Sequence, residues 1–188
     1  MTNKLLLSGG CLRPNGFELG EGKYYKSARL IELDILTKSF RIVVQKDVAG
    51  DNYPAEHPNL QFTCGCIVDK HLWLPTDTEV HLYRLEDFSL VKIISHPCFH
   101  NLHSVAYINN ELVITSTGLD NIVFCDPNTG EINRILNTQG KDPWHRFDRS
   151  FDYRKIHSTR PHDSHPNFTF ELDQQVWVTR CTQEDAVN

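Results

Sequence analysis

The chain has 188 residues, 39% hydrophobic and 23% charged, with a net charge of -5. These values fit one folded domain and exclude compositional disorder. They also speak against a generic nucleic-acid binder, which carries a basic excess. No apolar run approaches the ~20 residues of a membrane span, and the leucine run in MTNKLLLSGGCL is too short for a secretory core. A cytoplasmic protein without membrane contact is expected.

Long helical periodicity is absent, and short alternating runs rich in Val, Ile, Leu, Phe and Tyr recur between turn residues. KLLLSGG, from Lys4, reads as a strand. GFELGEGK, Gly16 to Lys23, is glycine-rich but lacks P-loop spacing, and reads as a loop. ARLIELDILTKSFRIVVQ, from Ala28, reads as two strands turning at Leu36-Thr37-Lys38. Three segments then line up: QFTCGCIVDKHLWLPT from Gln61, NLHSVAYINNELVITS from Asn101 and HPNFTFELDQQVWVTR from His165. Each is a strand, a polar turn and a second strand. The turns tolerate the positive φ that tight hairpins need. A connector follows each hairpin. After the first two come a third and a fourth strand, VHLYRLED with LVKIIS, and IVFCDPNTG with INRILN.

Four antiparallel strands in roughly 40 residues form the blade of a β-propeller. The expected fold is therefore all-β: a single partial propeller domain over residues 1–188, with about three to three and a half blades. A β-sandwich of unrelated hairpins is the competing reading. The chain opens at a second strand, and its last hairpin, His165 to Arg180, lacks third and fourth strands. Either the chain is a piece of a longer propeller, or two copies exchange ends. The second case makes a homodimer of six blades about a two-fold axis.

The string HSVAYINNELVITSTGLDNIVFCDPNTGEI, His103 to Ile132, resembles one blade of the NHL and gluconolactonase-like propellers. HPN (His165 to Asn167), STGLD (Ser116 to Asp120) and WVTR (Trp177 to Arg180) resemble more closely a group of poorly characterised bacterial propellers. The resemblance spans about residues 60–188 and implies the architecture. Gluconolactonase-like members bind a divalent metal through Glu, Asn and Asp. That acidic set has no match at corresponding positions here.

Aligning the second strands by Leu72, Leu112 and Val176 sets His103 opposite Thr63 and Asn167, and Asn101 opposite Gln61 and His165. Such residues would line one mouth of a central channel. The ligand-binding candidates are thus Asn101, His103, His165 and Asn167. His103 and His165 are the candidate metal ligands, and a divalent metal is the candidate cofactor. Alternatively, these side chains hydrogen-bond backbone at strand starts.

The spacing between second strands grows from 40 to 64 residues, so about 24 extra residues lie within 138–163. This basic, aromatic insertion carries Arg146 and Arg154 beside Trp144, Phe147, Phe151 and Tyr153. Two readings fit: a lid whose arginines bind an anion, or a structural segment whose arginines pair with Asp142, Asp148, Asp152 and Asp163. The six cysteines lack zinc or disulfide spacing, so reduced and mostly buried thiols are expected. Cys64 and Cys66 are expected to share one side of an inner strand as small packing residues.

Two functions follow. One is a scaffold binding a small-molecule or peptide ligand at the channel mouth. The other is a metal-assisted enzyme, hydrolase or lactonase-like or an oxidoreductase, acting on an anionic small molecule.

Overall fold

The computed structural model describes residues 3–188. Among the described residues fourteen strands form four antiparallel sheets, each a meander of consecutive strands. The first blade contains β1 (Lys4–Leu12), β2 (Tyr25–Asp34) and β3 (Phe40–Lys46). The second contains β4 (Cys66–Val68), β5 (His71–Pro75), β6 (Val80–Arg84) and β7 (Leu90–Ile94). The third contains β8 (Leu102–Ile108), β9 (Glu111–Ser116), β10 (Asn121–Cys125) and β11 (Ile132–Asn137). The fourth contains β12 (Pro166–Leu172), β13 (Gln175–Arg180) and β14 (Asp185–Val187). Among the described residues the sheets do not close into a ring.

The repeat extends to single hydrogen bonds. Where a third strand turns into a fourth, Asp34 N–H donates to Ser39 O, Arg84 N–H to Ser89 O and Asp126 N–H to Glu131 O, all at 2.9–3.0 Å. Asp34 and Asp126 also cap their turns through Oδ1. A register shift follows the same turn in all three blades.

Side-chain alternation sets the packing. In β5, Leu72 and Leu74 face the first blade, where they meet Ala28, Leu30 and Phe62. Trp73 points the other way, with Val80 and Leu82, onto Val105, Leu112, Ile114 and Val123 of the third blade. Val113, Ile122 and Phe124 then cover Val178 of the fourth. Both faces of each inner blade are thus buried, as a strand period of two requires.

Four sequence expectations change. The last hairpin gains a third strand, because Asp185–Val187 pairs with β13. Gly16–Leu19 forms a single helical turn, α1, rather than a loop. Regular pairing in the second blade starts at Cys66, while Cys64 bridges to Ser104 of the next blade. The thiols are not mostly buried: Cys98 and Cys125 are, but Cys11, Cys64 and Cys181 are exposed, since they sit at a strand end, a lead-in segment and a turn. Cys66 packs on the core while Cys64 does not.

The insertion at 138–163 is well anchored. Tyr153, in the 3-10 turn Tyr153–Lys155, is buried against the second and third blades, and Trp144, Phe147 and Ile156 pack beside it. Its far end touches the first blade's loop, where Arg160 pairs with Glu21 (2.6 Å). A cleft of about 520 Å³ opens between the third and fourth blades, lined by Phe124, Ile135, Val176 and Val187 among others.

The connector after β9 is equally tight. Thr117–Leu119 is a buried 3-10 turn, and a Cβ on Gly118 would overlap Nδ1 of the buried His100. Gly118→Ala should therefore lower stability by about 2 kcal/mol through overpacking. Adding His100→Ala should recover part of that loss. Urea unfolding of both variants checks the coupling.

Candidate functional site

The connector carboxylates organise the inner ends of the blades. Asp120 is fully buried, with left-handed backbone (φ 56°). Its carboxylate accepts hydrogen bonds from the backbone N–H groups of Asp163, Ser164 and His165 at 2.8, 2.9 and 2.8 Å. Arg146 adds an ion pair at 3.0 Å. One carboxylate thereby fixes the lead-in to β12. In the second blade, Asp77 plays a related part. It accepts from Asn59 Nδ2 (2.8 Å) and Gln61 Nε2 (3.3 Å), and burial pushes its pKa up to about 6.

With its backbone held there, His165 meets His103. The two rings lie edge to face with centroids 5.0 Å apart. His103 Nδ1–H donates to Asn167 Oδ1 at 2.8 Å. His162 stacks on His165, and their Nδ1 atoms are 2.7 Å apart, so one ring donates and the other accepts. His103, His165 and Asn167, which the repeat alignment sets at neighbouring positions, converge from β8, β12 and its lead-in. Asn101 shares with His165 a left-handed backbone of φ 50°, as their aligned positions suggest. Gln61 is drawn away to Asp77, and the Thr63 hydroxyl is buried without a partner.

His162 and Asp120 were missed as site residues. Asp120 closes the STGLD string, but His162 lies in the insertion, which has no counterpart in the other blades. A repeat alignment cannot reach it.

The imidazoles are held neutral. Burial lowers His100 and His162 to about 4, the latter helped by the neighbouring His165 charge. Burial also lowers His103, against the Asn167 bond, and His165, where Arg160 contributes. With its Nδ1–H engaged by Asn167, neutral His103 keeps a lone pair on Nε2.

The two candidate arginines, Arg146 and Arg154, are paired within the chain. Arg146 bridges Asp120 and Asp163 (3.0 and 2.8 Å) and also bonds Pro161 O. Arg154 forks onto Asp152 through two bonds of 2.8 Å and reaches Asn52 and Ser95. Among the described residues, no three His, Cys, Asp or Glu side chains are arranged to hold a metal ion. No described helix is long and apolar enough to cross a membrane.

No protein-family model matches the chain, and no curated protein matches it. Solved structures match its fold. A computationally designed protein, Ika8, aligns with 99% of this chain and 42% of its own length, at TM-score 0.52 and 12% identity. The WD40 domain of Neurospora crassa Pan2 aligns with 96% of this chain and 51% of its own, at TM-score 0.50 and 10% identity. WD40 domains are propellers, and this chain has a β-propeller architecture. It spans about half or less of the length of these two proteins.

Two outcomes follow. Asp120→Ala strands three buried N–H groups and Arg146, and should cost about 3 kcal/mol or more by denaturant unfolding. The depressed histidines bind protons more readily when unfolded, so they lower stability as pH falls from about 6.5 towards 4. His100 alone accounts for about 3 kcal/mol of that fall. Asp77 opposes it, because its raised pKa favours the folded state below about 6. Unfolding midpoints measured from pH 7 to 4 should decline, and less steeply in His100→Gln.

Proposed function

We propose that this propeller scaffold binds a small polar or peptide ligand at the inner mouth, where β8 and the lead-in to β12 meet. The cluster of His103, His165 and Asn167 carries the reading, with His162 stacked behind. Neutral imidazoles offer one donor and one acceptor each, which suits polar groups of either kind. Asn101 supplies a further amide at the equivalent turn. Arg146 acts by holding Asp120, which positions His165, and Arg154 steadies the insertion beside the mouth. The finer likeness to NHL and gluconolactonase-like propellers belongs to the same reading, as does a cytoplasmic location.

A metal-assisted enzyme acting on an anionic substrate is the other reading. It needs a third ligand beside His103 and His165, and the neighbouring donors are not set for one. The binding scaffold is therefore preferred.

A thermal-shift screen of a dipeptide and small-metabolite library tests it. Compounds that raise Tm should lose most of that shift in His103→Ala and in Asn167→Ala. Shifts that persist in both variants would place binding elsewhere and refute the proposal.

A further inference from the structure

The two end blades each keep one sheet face that nothing covers. On the first blade, cross-strand pairing aligns Leu5 with Leu33 and Phe40, and Leu7 with Ile31 and Ile42. Phe40 is 69% exposed and Ile42 50%. On the fourth blade, Phe170 pairs with Trp177, and Phe168 and Leu172 flank it on the same strand face. Phe168 is 43% exposed and Leu172 48%. Each is a contiguous apolar patch of the kind that marks an interaction surface.

These faces are complementary by position. Each blade has a front, which covers the next blade, and a back, which covers the previous one. Trp73 and Val113 face front, while Leu72 with Leu74, Leu112 with Ile114, and Val178 face back. In the same register, Leu5 and Leu7 belong to a back face and Trp177 to a front face. The chain joins front to back three times internally, and it ends in one unmatched back and one unmatched front. The two faces are of the kind that pack together inside the chain.

Within one molecule the first and fourth sheets do not meet. A second copy can cover both. We propose that two copies of this chain pack front to back at both ends and close a two-fold ring of eight blades. Eight lies within the range of known propellers, four to eight. The first contact makes the second intramolecular, so closure follows at high effective concentration. No open sheet face then remains, and two histidine clusters share one channel. Six blades, the count expected from sequence, becomes eight because the fourth sheet is a blade of its own.

Light scattering on the wild-type chain needs no variant. It should give twice the 21.7 kDa chain mass, with dissociation only on dilution. A monomer at tens of micromolar, or an open-ended polymer, would overturn the ring. Direction is read with two exposed-face variants, Leu7→Lys with Ile42→Lys, and Phe168→Glu with Leu172→Glu. Each alone should be monomeric with unchanged circular dichroism. Mixed together they should recover the dimer, because one intact front meets one intact back and the altered faces carry opposite charge. A dimer that survives either variant, or a mixture that stays monomeric, refutes front-to-back pairing.

Discussion

A sheet that is apolar on both faces cannot be stable by itself. This constraint shapes the molecule. In β5, Leu72 and Leu74 need cover on one side and Trp73 on the other, and no single partner supplies both. Stacking sheets in sequence order solves the problem for the inner blades and passes it to the ends. The three apolar layers are continuous with one another through single strands. A change on one face therefore acts on its own layer first and reaches the next through the strand backbone.

Stacking also crowds the inner ends of the strands, and buried backbone there must find partners. Short polar side chains provide them. Ser104, Thr115 and Ser116 bond across the third blade, and Thr76 holds the connector of the second. Between the first and second blades, Glu79 joins His81 (2.8 Å) and Tyr53 (3.2 Å), while His81 reaches Tyr83 (2.9 Å). Burial pushes the Glu79 carboxyl up, but the His81 and Asn52 bonds and the Lys46 charge outweigh it and hold its pKa at about 2. The network reaches through Asn52 to Arg154 and accounts for a polar stripe within an apolar layer.

The insertion illustrates the same economy of pairing. Arg146, Arg154 and Arg160 each meet a carboxylate of the chain within hydrogen-bonding distance. Tyr153 is buried and Trp144 and Phe147 pack against the core beside it, while Phe151 stays exposed. Order in the insertion then carries over to His162 and His165, because Asp120 ties the lead-in of β12 to the connector of the third blade.

Local sequence carried the repeat. Strand alternation, Asn and Asp at turns, and the equivalent spacing of Leu72, Leu112 and Val176 each reflect interactions within about 40 residues, so the all-β propeller blades were legible from residue order alone. The convergence of His103, His165 and Asn167 followed from the same alignment, since equivalent positions in neighbouring blades lie side by side. Other features rest on contacts between distant segments. The short strand Asp185–Val187 exists because β13 offers it an edge. Cys64 is exposed because its segment bridges to the next blade before regular pairing starts. The place of His162, the burial of Tyr153 and the commitment of Arg146 depend on where a non-repeating insertion lands. Periodicity determines which face a side chain takes. Only tertiary packing decides what that face meets.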